Sequence, residues 1–454
     1  MHIHFLGVCG TFMGGLALLA KQMGYKVTGS DENVYPPMST QLESVGIELV
    51  EGFAASQLDI RPDQVVVGNV MTRGHEVVER MLDEQWPMIS GPQWLSEHLL
   101  KNRWVLAVAG THGKTSTASM LAWILECAGL EPGFLIGGVP HDFDVSARIG
   151  SKPFFVIEAD EYDTAFFDKR SKFIHYQPKS LIINNIEFDH ADIFRDLTDV
   201  QKQFHHVLKI LPKEGKLIFN GDDECIREVM NLGFWSQKES FGIHESCDWN
   251  LLKVHNQKKP YQFSVEKKKK YDGHLAQLGE HNAMNALAAI AAARHAGVPV
   301  EESIKALASF SGVKRRLENR GKHDGVTIFD DFAHHPTEIK CTLESFKACY
   351  SDQRMIVIFE PRSNTMQMGV HAEQLIDALS SATELCIYDD GQSSWSIDQM
   401  LDDLHGNIFS DINRLVDYLL ATLQPNDNVL ILSNGGFGGL CEKLIAGLTQ
   451  RASH

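Results

Sequence analysis

The chain has 454 residues, room for about three domains at roughly 150 residues each. It is 43% apolar and 22% charged, as globular proteins with real cores are, and its formal charge of −17 excludes a general nucleic-acid binder, which must neutralise phosphates with Lys and Arg. No run reaches the ~18 apolar residues of a membrane span, and 8 scattered cysteines without a C-x-x-C pair or zinc spacing suit free thiols, so a cytoplasmic protein with no membrane partner is expected.

An α/β pattern begins at once. A strand is predicted over residues 2–8, followed by a glycine turn and a helix over 12–23. A second strand, over 25–28, leads to Ser30 and Asp31, and a third, Val65 to Val67, leads to Gly68 and Asn69. Strands alternating with helices imply a parallel sheet that binds ligands at the carboxyl ends of its strands. The first turn, residues 7–14, is no G-x-G-x-x-G fingerprint, because Cys9 takes the second glycine position. A phosphate-bearing nucleotide is expected there rather than plain NAD, with Asp31 placed to meet a ribose or base.

The next segment opens near residue 104. A buried strand over 105–109 runs into Gly110, Thr111, His112, Gly113, Lys114, Thr115 and Ser116, and a helical pattern continues to about 127. Strand, tight glycine turn and helix form the geometry that holds a nucleoside triphosphate. Backbone N–H groups at the helix start face the phosphates, and the helix dipole favours their charge. Lys114 supplies a point charge for the outer phosphates, and the Thr115 hydroxyl can ligate Mg²⁺. The loop departs from G-x-x-x-x-G-K-[ST] in having Val108 at the first glycine position. ATP with Mg²⁺ is the expected ligand.

A strand over 154–157 then ends in the acidic tip Glu158-Ala159-Asp160-Glu161-Tyr162-Asp163, and one over 181–183 ends in a polar stretch reaching Asp192. Acidic strand ends beside a phosphate loop are where Mg²⁺ ligands belong. Lys267 to Lys270 read as a solvated hairpin region. Asn282 and Asn285 open an alanine-rich helix and, three apart, share one face of it. From residue 313 onward, strands over 327–329, 355–359 and 429–432 each run into polar or glycine-rich ends. The expected architecture is three α/β domains: Rossmann-like over 1–103, a P-loop ATPase over 104–312, and Rossmann-like again over 313–454.

These motifs, in this order, resemble the Mur ligase family of bacterial cell-wall synthesis. The passages that carry the resemblance are residues 110–116, 158–163, 185–192, 281–285, 312–318 and 330–338. It implies a UDP-sugar domain, a central ATPase domain and a C-terminal domain that brings the incoming amine. Ligation would be ATP-dependent, through an acyl phosphate. The branch resembled extends the lactyl carboxylate of UDP-N-acetylmuramate. Some of its members add L-alanine during synthesis; others add the muropeptide-derived tripeptide L-Ala-γ-D-Glu-meso-diaminopimelate during recycling. Residues 7–15, 359–366 and 433–439 resemble the tripeptide-adding kind, with the alanine-adding kind as the alternative. A non-catalytic nucleotide sensor would have no use for an acidic and histidine constellation.

The same resemblance implies roles for residues. Glu158 would join Thr115 around one Mg²⁺, and His190 would ligate a second, shared with the attacking carboxylate. Lys114 and Arg316, the latter from the third domain, would meet the γ-phosphate. Asn282 and Asn285 would recognise adenine and Asp331 the ATP ribose, while His335 would orient the acyl phosphate or the amine. Gly10, Thr11, Phe12 and Met13 would approach the UDP diphosphate, with Asp31 and Asn69 near the uridine. Arg362, Ser363 and Asn364 would grip peptide carboxylates, a task suited to the planar arginine fork.

Overall fold

The computed structural model describes residues 1–34, 38–256, 261–395, 397, 404 and 406–453. Its first sheet is fully parallel. The central strand His2–Leu6 lies between Lys26–Asp31 and Gln64–Val67, with Glu48–Glu51 and Met88–Ser90 at the edges. Strand order reverses at the centre, so the carboxyl end of His2–Leu6 is the switch point where such sheets take ligands. The strand stops at Leu6 because Gly7, at φ +78°, starts the turn into helix Thr11–Gln22. The edge strand Glu48–Glu51 is largely exposed, so no apolar run announces it in the sequence.

The second sheet has ten strands. Strand Trp104–Ala109 is flanked in parallel by Phe154–Glu158 and Ser180–Ile183. Beyond Ser180–Ile183 the sheet continues through Lys216–Asn220, Gln237–Gly242 and Trp249–Asn256 to an antiparallel hairpin, Tyr261–Glu266 with Lys270–Leu275. The lysine run forms that hairpin's turn, where Lys267 pairs with Glu239 at 2.5 Å and lies over the Trp249 ring. Helix Lys114–Cys127 packs against Glu280–His295, whose buried alanines allow close approach.

The third sheet has six strands in the order Glu318–His323, Val326–Asp331, Asn428–Leu432, Met355–Phe359, Glu384–Tyr388, Asn407–Phe409. All neighbours but the first pair are parallel. One hydrophobic cluster runs unbroken from the first sheet into the second, joining Phe5 and Trp94 to Leu135, Phe155 and Phe204. The third sheet is covered by two clusters of its own. Apolar burial therefore fixes the first two units together, whereas beyond Val313, at the junction itself, the third meets the central one mainly through polar groups.

Candidate active site

Sheet register builds the site. Val108 lies opposite Glu158, and Ala109 opposite Ile183, so three strands end level and their loops converge. Gly110 and Gly113 take φ +133° and +76°. A Cβ on Gly110 would stand 3.1 Å from the Asn185 nitrogen, and one on Gly113 2.5 Å from Asn285 Oδ1. Glycine is required at both. The Thr111 and His112 N–H groups turn onto Asn185, at 3.2 Å to its carbonyl and 2.8 Å to its Oδ1. Helix Lys114–Cys127 carries no side-chain cap and no acidic residue in its first turn, which leaves its N–H groups for an anion.

Beside this loop the charges are dense. The Thr115 hydroxyl is 3.0 Å from both Glu158 oxygens, and Glu158 also accepts the Gly137 N–H at 2.7 Å. Arg316 reaches over from the third sheet's side to donate to Thr115 Oγ1 at 3.3 Å. Lys114 Nζ lies 3.3 Å from Glu161 and 3.8 Å from Asp160. Burial opposes the lysine's charge, but Glu161 and Asp160 prevail and hold its pKa above the ordinary value. Burial pushes the Glu158 carboxyl up, and the Asp160 charge adds to that. A buried carboxylate under such repulsion, paired with a hydroxyl, is a hard oxygen set that welcomes a further cation, so these residues fit Mg²⁺. His190 Nε2 is 3.6 Å from Glu161, its ring lies 4.9 Å from that of Tyr162, and its backbone is left-handed at φ +54°. Glu161, not singled out from the sequence, thus stands between Lys114 and His190; its signal was the acidic tip itself.

A cavity of about 260 Å³ opens behind the loop and is lined by Ser116, Asn282, Asn285, Arg316 and Asp331, with Gly113 at its edge. Asn282 donates to the Leu278 carbonyl at 2.7 Å, and Asn285 lies 3.4 Å from Asn282 Oδ1. Asp331 accepts the Leu317 and Ala333 N–H groups at 2.6 and 2.7 Å, and burial raises its carboxyl to about 6. His335 caps helix Pro336–Cys349 through Nδ1; burial, with His112 nearby, lowers it to about 4, so the ring is neutral.

His112 itself lies between two carboxylates, 3.2 Å from Glu187 and 3.4 Å from Glu338. Burial opposes its charge, yet those two carboxylates raise it to about 9. Thr337 donates to Glu187 at 2.7 Å. Glu187 and Glu338 were missed in the sequence, where nothing marks a cross-domain clasp.

At the first sheet, Gly10 and Thr11 are exposed and Phe12 half-buried, while the Met13 side chain is buried in the core and leaves only its backbone N–H for a ligand. Asp31 accepts the Cys9 and Asn33 N–H groups at 2.8 and 3.2 Å, so it shapes the turn; Asn69 is exposed nearby. In the third unit, Ser363 caps helix Asn364–Gln367, and Asn364 donates to Asp192 at 2.9 Å. Both are engaged within the protein. The Arg362 side chain is 51% exposed, its guanidinium lies 3.7 Å from Glu360, and it crosses Gly435, where any Cβ would strike it.

Three family models match the chain. The Mur ligase family catalytic domain matches residues 2–103, the Mur ligase middle domain 108–293, and the Mur ligase glutamate ligase domain 315–435. The chain is 50% identical over 455 residues to the UDP-N-acetylmuramate--L-alanyl-gamma-D-glutamyl-meso-2,6-diaminoheptandioate ligase of Escherichia coli (strain K12), covering 100% of this chain and 99% of that one. It is 32% identical over 466 residues to the UDP-N-acetylmuramate--L-alanine ligase of Syntrophomonas wolfei, covering 99% and 97%. The crystal structure of a murein peptide ligase from Psychrobacter arcticus 273-4 matches with a TM-score of 0.79 at 42% identity, over 99% of each chain. Converging strand ends, ordered motifs and full-length similarity agree, and the chain belongs to the Mur ligase family.

Proposed function

We propose that the protein is an ATP-dependent ligase that joins the amino group of L-Ala-γ-D-Glu-meso-diaminopimelate to the lactyl carboxylate of UDP-N-acetylmuramate, in recycling of bacterial cell-wall peptides. The observation that carries this reading is the 50% identity, over the whole chain, to a ligase named for that tripeptide, against 32% to an L-alanine ligase. Residues 1–103 would hold the UDP-sugar, 104–312 ATP, and 313–454 the peptide. The setting is the bacterial cytoplasm; among the described residues no helix is long and apolar enough to cross a membrane.

The chemistry takes two steps. The sugar carboxylate attacks the γ-phosphorus and ADP leaves, giving an acyl phosphate. The neutral peptide amine then attacks the acyl carbon, and phosphate departs from the tetrahedral intermediate. A carboxylate approaching a polyanion is opposed by charge, so preorganised cations are the main requirement. Lys114 exchanges its acidic partners for the outer phosphates. Arg316 joins it from the third unit, which makes the reactive arrangement depend on closure and keeps water from the acyl phosphate. Thr115 and Glu158 would hold one Mg²⁺ and His190 a second. When bound, such ions neutralise charge developing on the transferring phosphoryl group. Neutral His335 has a buried Nε2 with no hydrogen-bond partner among the described residues, available to orient the acyl phosphate or the amine, and Arg362 offers its fork to a peptide carboxylate.

The test is phosphate release from ATP with Mg²⁺, with product mass read in parallel. Release should require both UDP-N-acetylmuramate and the tripeptide, with a product equal to their sum less one water. Release independent of either one contradicts the reading.

A further inference from the structure

Lys172 belongs to no motif, yet its side chain is only 4% exposed. It follows a two-stranded hairpin, Asp163–Ala165 with Asp168–Ser171, that the central unit sends toward the first. Phe166 at the hairpin tip packs on the first unit's small cluster containing Leu58, Val77 and Met81. The Lys172 ammonium is 2.8 Å from the Tyr162 hydroxyl and 3.3 Å from Asp160 Oδ2. It also lies 4.0 Å from the Tyr162 ring centroid and 4.7 Å from that of Phe12. Phe12 is the second residue of helix Thr11–Gln22, directly after the first unit's glycine turn, and the other Asp160 oxygen is 3.8 Å from Lys114. A contact chain thus runs from that turn through Phe12, Lys172 and Asp160 to the phosphate-loop lysine.

Enclosing an ammonium is costly, and burial lowers the Lys172 pKa even beside Asp160. The carboxylate and the two aromatic faces offset that cost. Asp160 is held by two lysines. If a triphosphate takes Lys114, Lys172 remains the lysine on Asp160, while Glu161 still has His190 beside it. Phe12, at the start of the helix that follows the turn, forms one wall of the Lys172 enclosure.

We propose that Lys172 is a positioning residue that links UDP-sugar occupancy of the first unit's turn to engagement of Lys114 with ATP. The inference rests on the functional reading above. Such linkage is reciprocal, so either ligand reports it.

The test measures binding of a non-hydrolysable ATP analogue with Mg²⁺ to the full chain, with and without saturating UDP-N-acetylmuramate. Wild type should bind the analogue at least about fivefold tighter with the sugar present, the lower end of ordinary coupling. Lys172→Met should bring that ratio to within about twofold of one, and Lys172→Arg should restore most of it. Tyr162→Phe, which removes one oxygen partner and keeps the ring, should give an intermediate ratio; it carries the test if Lys172→Met does not fold. A merely structural lysine would lower the melting temperature and weaken each ligand separately with the ratio unchanged. That result, or a wild-type ratio of one, overturns the inference alone. Failure of wild type to bind the UDP-sugar overturns the functional reading together with it.

Discussion

Glu158 and Glu161 sit three residues apart on one strand end yet face different partners, Thr115 for the first and Lys114 with His190 for the second. That separation gives distinct expectations for substitutions. Glu158→Gln should slow every ATP-dependent step, by ~10²–10³ if its loss is like that of other positioned electrostatic groups. His190→Ala should chiefly slow acyl-phosphate formation. Rapid-quench trapping of the acyl phosphate distinguishes them, and normal trapping in His190→Ala at limiting Mg²⁺ contradicts the second-metal assignment. His112 gives a pH signature. Its pKa is raised from 6.5 to about 9, so its stabilisation is full below 6.5 and is lost as pH rises through about 9. Melting temperature should therefore fall between about pH 8 and pH 10 in wild type, and fall less in His112→Asn. Single residues were only partly legible in the sequence. Lys114 and Thr115 sit in a loop whose spacing predicts a phosphate site, whereas for Asn282 spacing gives a shared helix face with Asn285 and the family resemblance alone implies a role. Lys172, Glu187 and Glu338 meet partners brought from distant segments, and no local pattern encodes that.

At the scale of elements, the strands that carry chemistry were the readable ones. Trp104–Ala109 is apolar throughout and Ser180–Ile183 apolar after its first residue because both faces are covered, and polar residues mark where they end. The exposed edge strand Glu48–Glu51 and the hairpin Asp163–Ser171 have no such contrast and were not anticipated. Turns follow the same rule: the required positive φ at Gly110 and Gly113 made the phosphate loop recognisable. The turn after Asn428–Leu432 yields a prediction. Arg362 lies across Gly435 with no space for a Cβ, so Gly435→Ala should push the guanidinium aside. Steady-state kinetics should then show a KM for the peptide raised several-fold, about 1 kcal/mol of lost binding, with the KM for ATP unchanged. An equal rise for both substrates would place Arg362 away from the acceptor.

Over the whole molecule, the two kinds of junction differ in chemistry. The first two units share one apolar cluster. The third reaches the central one through Arg316 on Thr115, Thr337 on Glu187, Thr365 on Asp189 and Asn364 on Asp192. Polar junctions of this kind open at lower cost than a shared core. In the proposed reading, a third unit joined this way brings both Arg316 and the acceptor to the loop that holds Lys114 and Thr115. The most direct test supplies ATP, Mg²⁺ and UDP-N-acetylmuramate with tripeptide and L-alanine at equal concentration, and reads kcat/KM for each from the two product masses. The account requires the tripeptide to be preferred by at least about a hundredfold, roughly 2.7 kcal/mol in transition-state binding. Comparable or better kcat/KM for L-alanine would contradict it and make this chain an alanine-adding ligase.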